Sequence, residues 1–130
     1  MMRVHREELV VAPKDLDQLE HVNNIRYVEW IQEISKNHWQ RLADQTLRDG
    51  SIWVVRNHNI SYLRQALLGD RLELTTYVEE FKGALSLRVV EIKNGTNGEL
   101  LVRALTQWCL LDARNLRPKR VPESVRSLFD

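Results

Sequence analysis

Asp15, Asp17, His21, Asn23 and Asn24 place carboxylates, an imidazole and carboxamides within ten residues, directly ahead of the longest helical pattern in the chain. Asn23 or Asn24 is a competent cap for that helix, because its side-chain oxygen can accept from a first-turn amide that has no intrahelical partner. A helix starting there aims its free N–H groups and the positive end of its dipole back at the loop. A carboxylate, an imidazole and an electropositive helix start in one small volume suit attack on a carbonyl whose oxygen becomes negative. The Asp15-x-Asp17 pair could begin a divalent-cation site, but no obvious further ligands accompany it, so no metal is expected.

The elements that must position this loop follow from length and pattern. At 130 residues the chain is expected to form a single domain over residues 1–130. A formal charge of +1 argues against a dedicated nucleic-acid binder. Arg114, Arg117, Lys119 and Arg120 form a short basic cluster, read as solvated surface or as a grip on a phosphorylated ligand. Cys109, the sole cysteine, lies in an apolar run and reads as a buried structural thiol rather than a nucleophile. There is no signal-peptide core and no apolar run of membrane-spanning length, so a cytoplasmic protein with no membrane partner is expected.

Val4 to Val11 reads as a strand ended by Ala12-Pro13. A helix is expected from about Asn24 to Asp49, with Tyr27, Ile31, Ile34, His38 and Leu42 as its apolar stripe, widened by Val28 and Trp30. Its length would be roughly 38 Å, with Gly50 as the stop. Strands are expected over residues 52–63, 71–79, 84–93 and 99–112, with Lys82-Gly83 as a hairpin turn and Asn94 to Gly98 as another. A short helix opens at Pro122. The order is one strand, a long helix, then antiparallel strands on short connections, which predicts an α+β fold with the helix across one five-stranded sheet. The final strand is apolar on both faces, and Arg56, Asn57, His58 and Asn59 lie mid-strand, so part of the sheet is expected to be covered by a second subunit around a polar cleft.

The string Asp15-Leu16-Asp17, His21-Val22-Asn23-Asn24, Tyr27 and Trp30 resembles the opening of hotdog-fold acyl thioesterases, both the 4-hydroxybenzoyl-CoA thioesterase-like group and the plant acyl-ACP thioesterases. Tyr62-Leu63-Arg64-Gln65-Ala66 through Gly69-Asp70 resembles a second segment of that family. The resemblance implies a hotdog subunit that dimerises through its sheet, often pairing further into tetramers, with active sites at the dimer interface. It implies an acyl thioester of coenzyme A, or possibly of acyl carrier protein, as substrate, and no cofactor beyond the coenzyme A of the substrate itself. Asp17 falls at the family's catalytic carboxylate, and Asn24, seven positions on, at the amide that polarises the thioester carbonyl. Lys82, with Ser86 beyond it, falls where relatives hold the CoA portion. Two departures stand out. Leu19 occupies a position that is Asn in the plant enzymes, and Glu20 replaces a Gly common in bacterial relatives.

The expected assignment is therefore Asp17, His21 and Asn24 as catalytic residues, with Asn23, Tyr27, His58, Lys82 and Ser86 as substrate-binding residues. Asp15 is expected to orient the loop, and His38 to be a satisfied interior or interface histidine. Tyr27 and Trp30 read as core or pocket wall. The competing readings are a hotdog hydratase or dehydratase and a non-catalytic acyl-CoA-binding module.

Overall fold

The computed structural model describes residues 2–130. Its strands are β1 (His5–Val10), β2 (Ser51–Tyr62), β3 (Arg71–Lys82), β4 (Leu85–Asn94) and β5 (Leu100–Asp112), with helices α1 (Asn24–Leu42), α2 (Gln45–Gly50) and α3 (Glu123–Arg126). All strand pairings are antiparallel, and the sheet order is β1-β3-β4-β5-β2. The edges of the sheet are therefore β1 and β2, while the strands around the β3–β4 hairpin and β5 fill its centre.

The expected fold holds: one long helix packs across one five-stranded antiparallel sheet. Tyr27, Trp30, Ile31, Ile34 and His38 of the stripe read from the sequence are buried; Val28 and Leu42 are only half-buried, and Ser35, which that stripe did not include, is buried with its hydroxyl donating to the Ile31 carbonyl at 2.7 Å. Two apolar clusters lie between the layers. Near the start of α1, Val22, Tyr27, Ile31 and Ile34 meet Leu72, Leu74, Val90, Ile92, Val102 and Ala104. Near its end, Trp39 and Leu42 meet Val78, Phe81, Leu110, Val121, Val125 and Phe129. The C-terminal segment thus closes the far end of the helix–sheet layer. On β5, Cys109 is buried with a free thiol, and Leu105 and Leu111 on that side are half-buried.

The helix is shorter than expected. It ends at Leu42, and a separate α2 begins at Gln45, because Asp44 Oδ1 accepts the Leu47 N–H at 2.9 Å and caps a new helix. An aspartate captures backbone amides in non-helical conformations, so the apolar period runs on while the backbone does not. The α1 helix alone is roughly 28 Å long. The β3–β4 turn is also displaced by one residue. Lys82 pairs with Leu85, so the loop residues are Gly83 and Ala84, and Gly83 carries the positive φ of 60° that a first turn position of this kind demands. Among the described residues no helix is long and apolar enough to cross a membrane.

Candidate active site

Residues 15–23 form a tight hairpin-like loop. Leu16 and Val22 bridge antiparallel, and the Asp17 N–H donates to the His21 carbonyl at 2.8 Å. Asp17 Oδ1 accepts the Leu19 N–H at 2.8 Å and the His21 N–H at 3.2 Å, an Asx-type turn. Oδ2 has no hydrogen-bond partner among the described residues, and the side chain is exposed. One oxygen therefore fixes the carboxylate to the loop while the other is open to the surface. Glu20 closes the turn, its N–H donating to the Asp17 carbonyl at 3.1 Å. It does so at φ 62°, where an L side chain is strained and glycine is not.

Asp15 is buried and wholly committed. Its Oδ2 accepts the Ala12 N–H at 2.8 Å, its Oδ1 accepts Arg26 Nε at 2.8 Å, and its carbonyl accepts the Asn23 N–H at 2.9 Å. Arg26 also reaches Glu29 at 3.0 Å and lies over the Trp30 ring. This network joins the loop to the first turn of α1. Asn23 is the cap: its Oδ1 accepts the Ile25 N–H at 3.0 Å, and its carbonyl accepts the Arg26 N–H at 2.9 Å. The Asn24 N–H, at the first helical position, has no partner among the described residues, and Asn24 is exposed. The first amide of α1 is thus unpartnered at the positive end of the helix, on the residue that directly follows the Asp17 loop. His21 is half-buried.

The remaining expected residues separate. Tyr27 is 2% exposed, its hydroxyl accepts the Ala66 N–H at 3.1 Å, and burial pushes its phenol pKa up. It is a core brace for the connection after β2, with no open wall to offer. His58 pairs across the sheet with Thr106, its Nδ1 2.7 Å from Thr106 Oγ1 and its Nε2 3.3 Å from Gln32 Nε2. Burial lowers the pKa of this ring. Gln32 is eight residues beyond Asn24, roughly 12 Å along the helix.

Lys82 and Ser86 lie at the other end of the sheet. Leu72 and Leu74 of β3 pack with Val22 and Tyr27, whereas Val78 and Phe81 pack with Trp39 and Leu42. From Leu74 to Lys82 the strand advances roughly 26 Å, so a single chain does not bring Lys82 to Asp17. Lys82 instead shares a cleft with Arg120 and Arg126. Ser86 is buried beside Arg88. Elsewhere in the basic tail, Arg114 approaches Asp112 at 3.5 Å, and Lys119 Nζ donates to the Gly50 carbonyl at 3.0 Å. No three His, Cys, Asp or Glu side chains converge as a metal site among the described residues.

Arg26, Gln32 and Arg88 were not singled out from the sequence. Arg26 had a signal: a cation in the first turn opposes the helix dipole, so it needs a specific acid nearby. Arg88 had one too, since it shares strand parity with the inward-facing Val90 and Ile92.

Residues 2–129 match the family described as acyl-ACP thioesterase N-terminal domain. The chain is 30% identical over 131 residues to the long-chain acyl-CoA thioesterase FadM of Escherichia coli (strain K12), an alignment covering 95% of each. It is 34% identical over 107 residues to a chloroplastic acyl-[acyl-carrier-protein] hydrolase, FATB3, of Cuphea viscosissima, covering 73% of this chain and spanning only 25% of that protein. Its fold superposes at a TM-score of 0.86, with 20% identity and coverage of 98% and 99%, on a crystal structure of a 4-hydroxybenzoyl-CoA thioesterase variant complexed with 4-hydroxybenzoyl-CoA.

Proposed function

Because the chain belongs to the acyl-ACP thioesterase N-terminal-domain family, we propose that it hydrolyses acyl-CoA thioesters to the free acid and coenzyme A at the Asp17 loop. The observation that carries this reading is the division of labour within one carboxylate. Oδ1 of Asp17 is held by the Leu19 and His21 amides, while Oδ2 is left open on a loop that runs directly into the helix start bearing the unpartnered Asn24 N–H. In this reading Oδ2 either attacks the thioester carbonyl, giving a mixed anhydride that water then cleaves, or removes a proton from the attacking water. The Asn24 amide takes the developing negative oxygen; one such donor is typically worth about 2.7–4 kcal/mol of barrier. The thiolate leaves and is protonated from solvent, without a cofactor or metal. His21, whose backbone amide already anchors Asp17, borders the site and positions water.

Coenzyme A is the preferred carrier in this proposal, because FadM, named for acyl-CoA, matches over nearly its whole length. Acyl carrier protein remains the alternative thiol. A second copy of the chain belongs to the proposal as well. Asp17, Asn24 and the 66%-exposed Ile25 stand open, and the Lys82 hairpin is too distant to serve them from the same chain. A two-fold mate would bring a second Lys82–Arg120–Arg126 cleft toward the CoA phosphates and cover the half-buried apolar side of the sheet, as a dimer or a tetramer. The free thiol of Cys109 suits a reducing compartment, and a cytoplasmic setting completes the reading.

Free-thiol release over acyl-CoAs of several lengths plus an aromatic one, comparing wild type with Asp17→Asn, tests it. The variant keeps an oxygen for the Leu19 and His21 amides, so it should fold normally while turnover falls at least about a hundredfold. Wild-type turnover in that variant would remove Asp17 from the chemistry. Hydration of an enoyl-CoA without thiol release, or tight binding without turnover, would point to the competing readings.

A further inference from the structure

The seam between β1 and the last turns of α1 is open and cationic. A groove of about 460 Å³ runs along it, and Arg3, His5, Arg6, His38 and Arg41 line it without an acid among them. Val4 and Leu42 supply the apolar part of its wall. Its volume falls in the range of small-molecule sites, about 300–1,000 Å³.

The acids nearest the groove are engaged elsewhere. Glu7 meets His5 Nε2 at 2.7 Å and accepts from the Asn37 amide at 3.1 Å, while Glu73 lies 3.6 Å from Arg6. Arg3 gives its Nε to the Asp130 main-chain oxygen at 3.1 Å, which leaves both Nη groups without a partner among the described residues. Arg41 is exposed and has neither an ion pair nor a side-chain hydrogen bond among the described residues.

A second observation comes from the inner wall. His38 is 3% exposed, stacks on His5 at 5.3 Å, and accepts at Nδ1 from Arg88 Nη1 at 2.9 Å. Arg88 is 5% exposed, and its other partner is the Thr76 hydroxyl at 3.0 Å. Burying a charge without an opposite one is expensive. The charges of Arg88 from β4, Arg41 from α1 and Arg3 from the segment before β1 all bear on His38. Among the described residues no side-chain carboxylate pairs with any of the three. A guanidinium takes two oxygens of one phosphate through parallel N–H bonds, so two free forks on one groove suit that group.

We propose that this groove binds an organic phosphate of nucleotide size, with the phosphate taken by Arg3 and Arg41 and the body lying against Val4 and Leu42. The site stands roughly 21–26 Å along α1 from Asn24 and shares no residue with the Lys82–Arg120–Arg126 cleft. It does not depend on the reaction assigned to the Asp17 loop. A bare phosphate would leave the apolar wall uncovered, and a neutral body would leave the guanidinium groups unmatched.

AMP is the probe, with adenosine as the body without the charge and inorganic phosphate as the charge without the body. Calorimetric titrations in about 0.15 M salt, where exposed charges are screened beyond about 8 Å, compare the wild type with two double variants. Lys82→Gln with Arg126→Gln disables the other basic cleft. That protein should still bind a single AMP per chain, with adenosine and phosphate at least about tenfold weaker. Arg3→Gln with Arg41→Gln should lose one AMP site per chain relative to the wild type, its fold checked by the thermal midpoint without ligand. Should that pair fail to fold, Arg41→Gln alone, at an exposed and unpaired side chain, gives the same reading. Coenzyme A carries a nucleotide of its own. Its displacement of AMP from Lys82→Gln with Arg126→Gln would identify the substrate's nucleotide end as the occupant, and its failure to displace AMP a separate nucleotide. Undiminished AMP binding without Arg3 and Arg41, no saturable binding in Lys82→Gln with Arg126→Gln, or adenosine or phosphate binding as tightly as AMP would each overturn the proposal.

Discussion

Arg26 Nε lies 2.8 Å from Asp15 Oδ1, and through this contact the first turn of α1 grips the loop that precedes it. Asp15 is 3% exposed at the side chain and spends its other oxygen on the Ala12 amide. The loop is thus held at both ends by one buried carboxylate. Removing Asp15 leaves Arg26, a quarter exposed, with Glu29 as its remaining acid, but it strips the Ala12 amide of its acceptor and the loop of its link to α1, a loss of about 1–3 kcal/mol. Asp15→Ala should lower the urea midpoint accordingly and cut turnover with KM little changed, because the loop loses its register against the Asn24 amide. An unshifted midpoint would mean the pair holds nothing.

Glu20 sits at φ 62° where the turn requires a left-handed residue. The left-handed conformation costs a side-chain-bearing residue about 1–2 kcal/mol, and the greater freedom of unfolded glycine offsets part of that relief. Glu20→Gly should therefore raise stability by about 0.5–1 kcal/mol, read from denaturant unfolding, whereas Glu20→Ala should bring no gain.

Tyr27 separates the core reading from the binding reading. Its hydroxyl is the acceptor for the buried Ala66 amide. Tyr27→Phe leaves that N–H unsatisfied, a loss of about 1–3 kcal/mol, while KM for acyl-CoA should stay within about twofold because the ring offers no open surface. A large rise in KM at unchanged stability would return Tyr27 to the substrate.

His38 makes stability depend on pH. Its pKa drops from 6.5 to about 3 on folding, by burial and by the facing cations Arg88, Arg3 and Arg41 together with His5, which stacks on it. Between those values the unfolded imidazole binds a proton that the folded one refuses. Stability is therefore level in this respect above pH 6.5 and falls as pH is lowered from 6.5 toward 3. His38→Gln, which keeps an acceptor for Arg88, should flatten the unfolding midpoint against pH between 6.5 and 4.5 by up to one proton's slope. An identical slope in variant and wild type would remove His38 as the cause.

The sequence by itself determined the element types, the inward stripe of α1, and the concentration of chemistry in residues 15–24. These are readable because periods of 3.6 and 2, turn residues and caps are local properties of the chain. Asp44 was equally local, but a cap is easily read through when the apolar period continues across it. Tertiary structure alone decided the roles. The sequence places Asp15 and Asp17 two residues apart with the same chemistry. Only the fold brings Arg26 and the Ala12 amide onto the first and leaves an oxygen of the second free. It also set Lys82 and Ser86 at the end of the sheet away from Asp17, and it enclosed Arg88 with His38, 50 residues away in the chain. Such pairings are fixed by strand order and layer packing, to which residue spacing is blind.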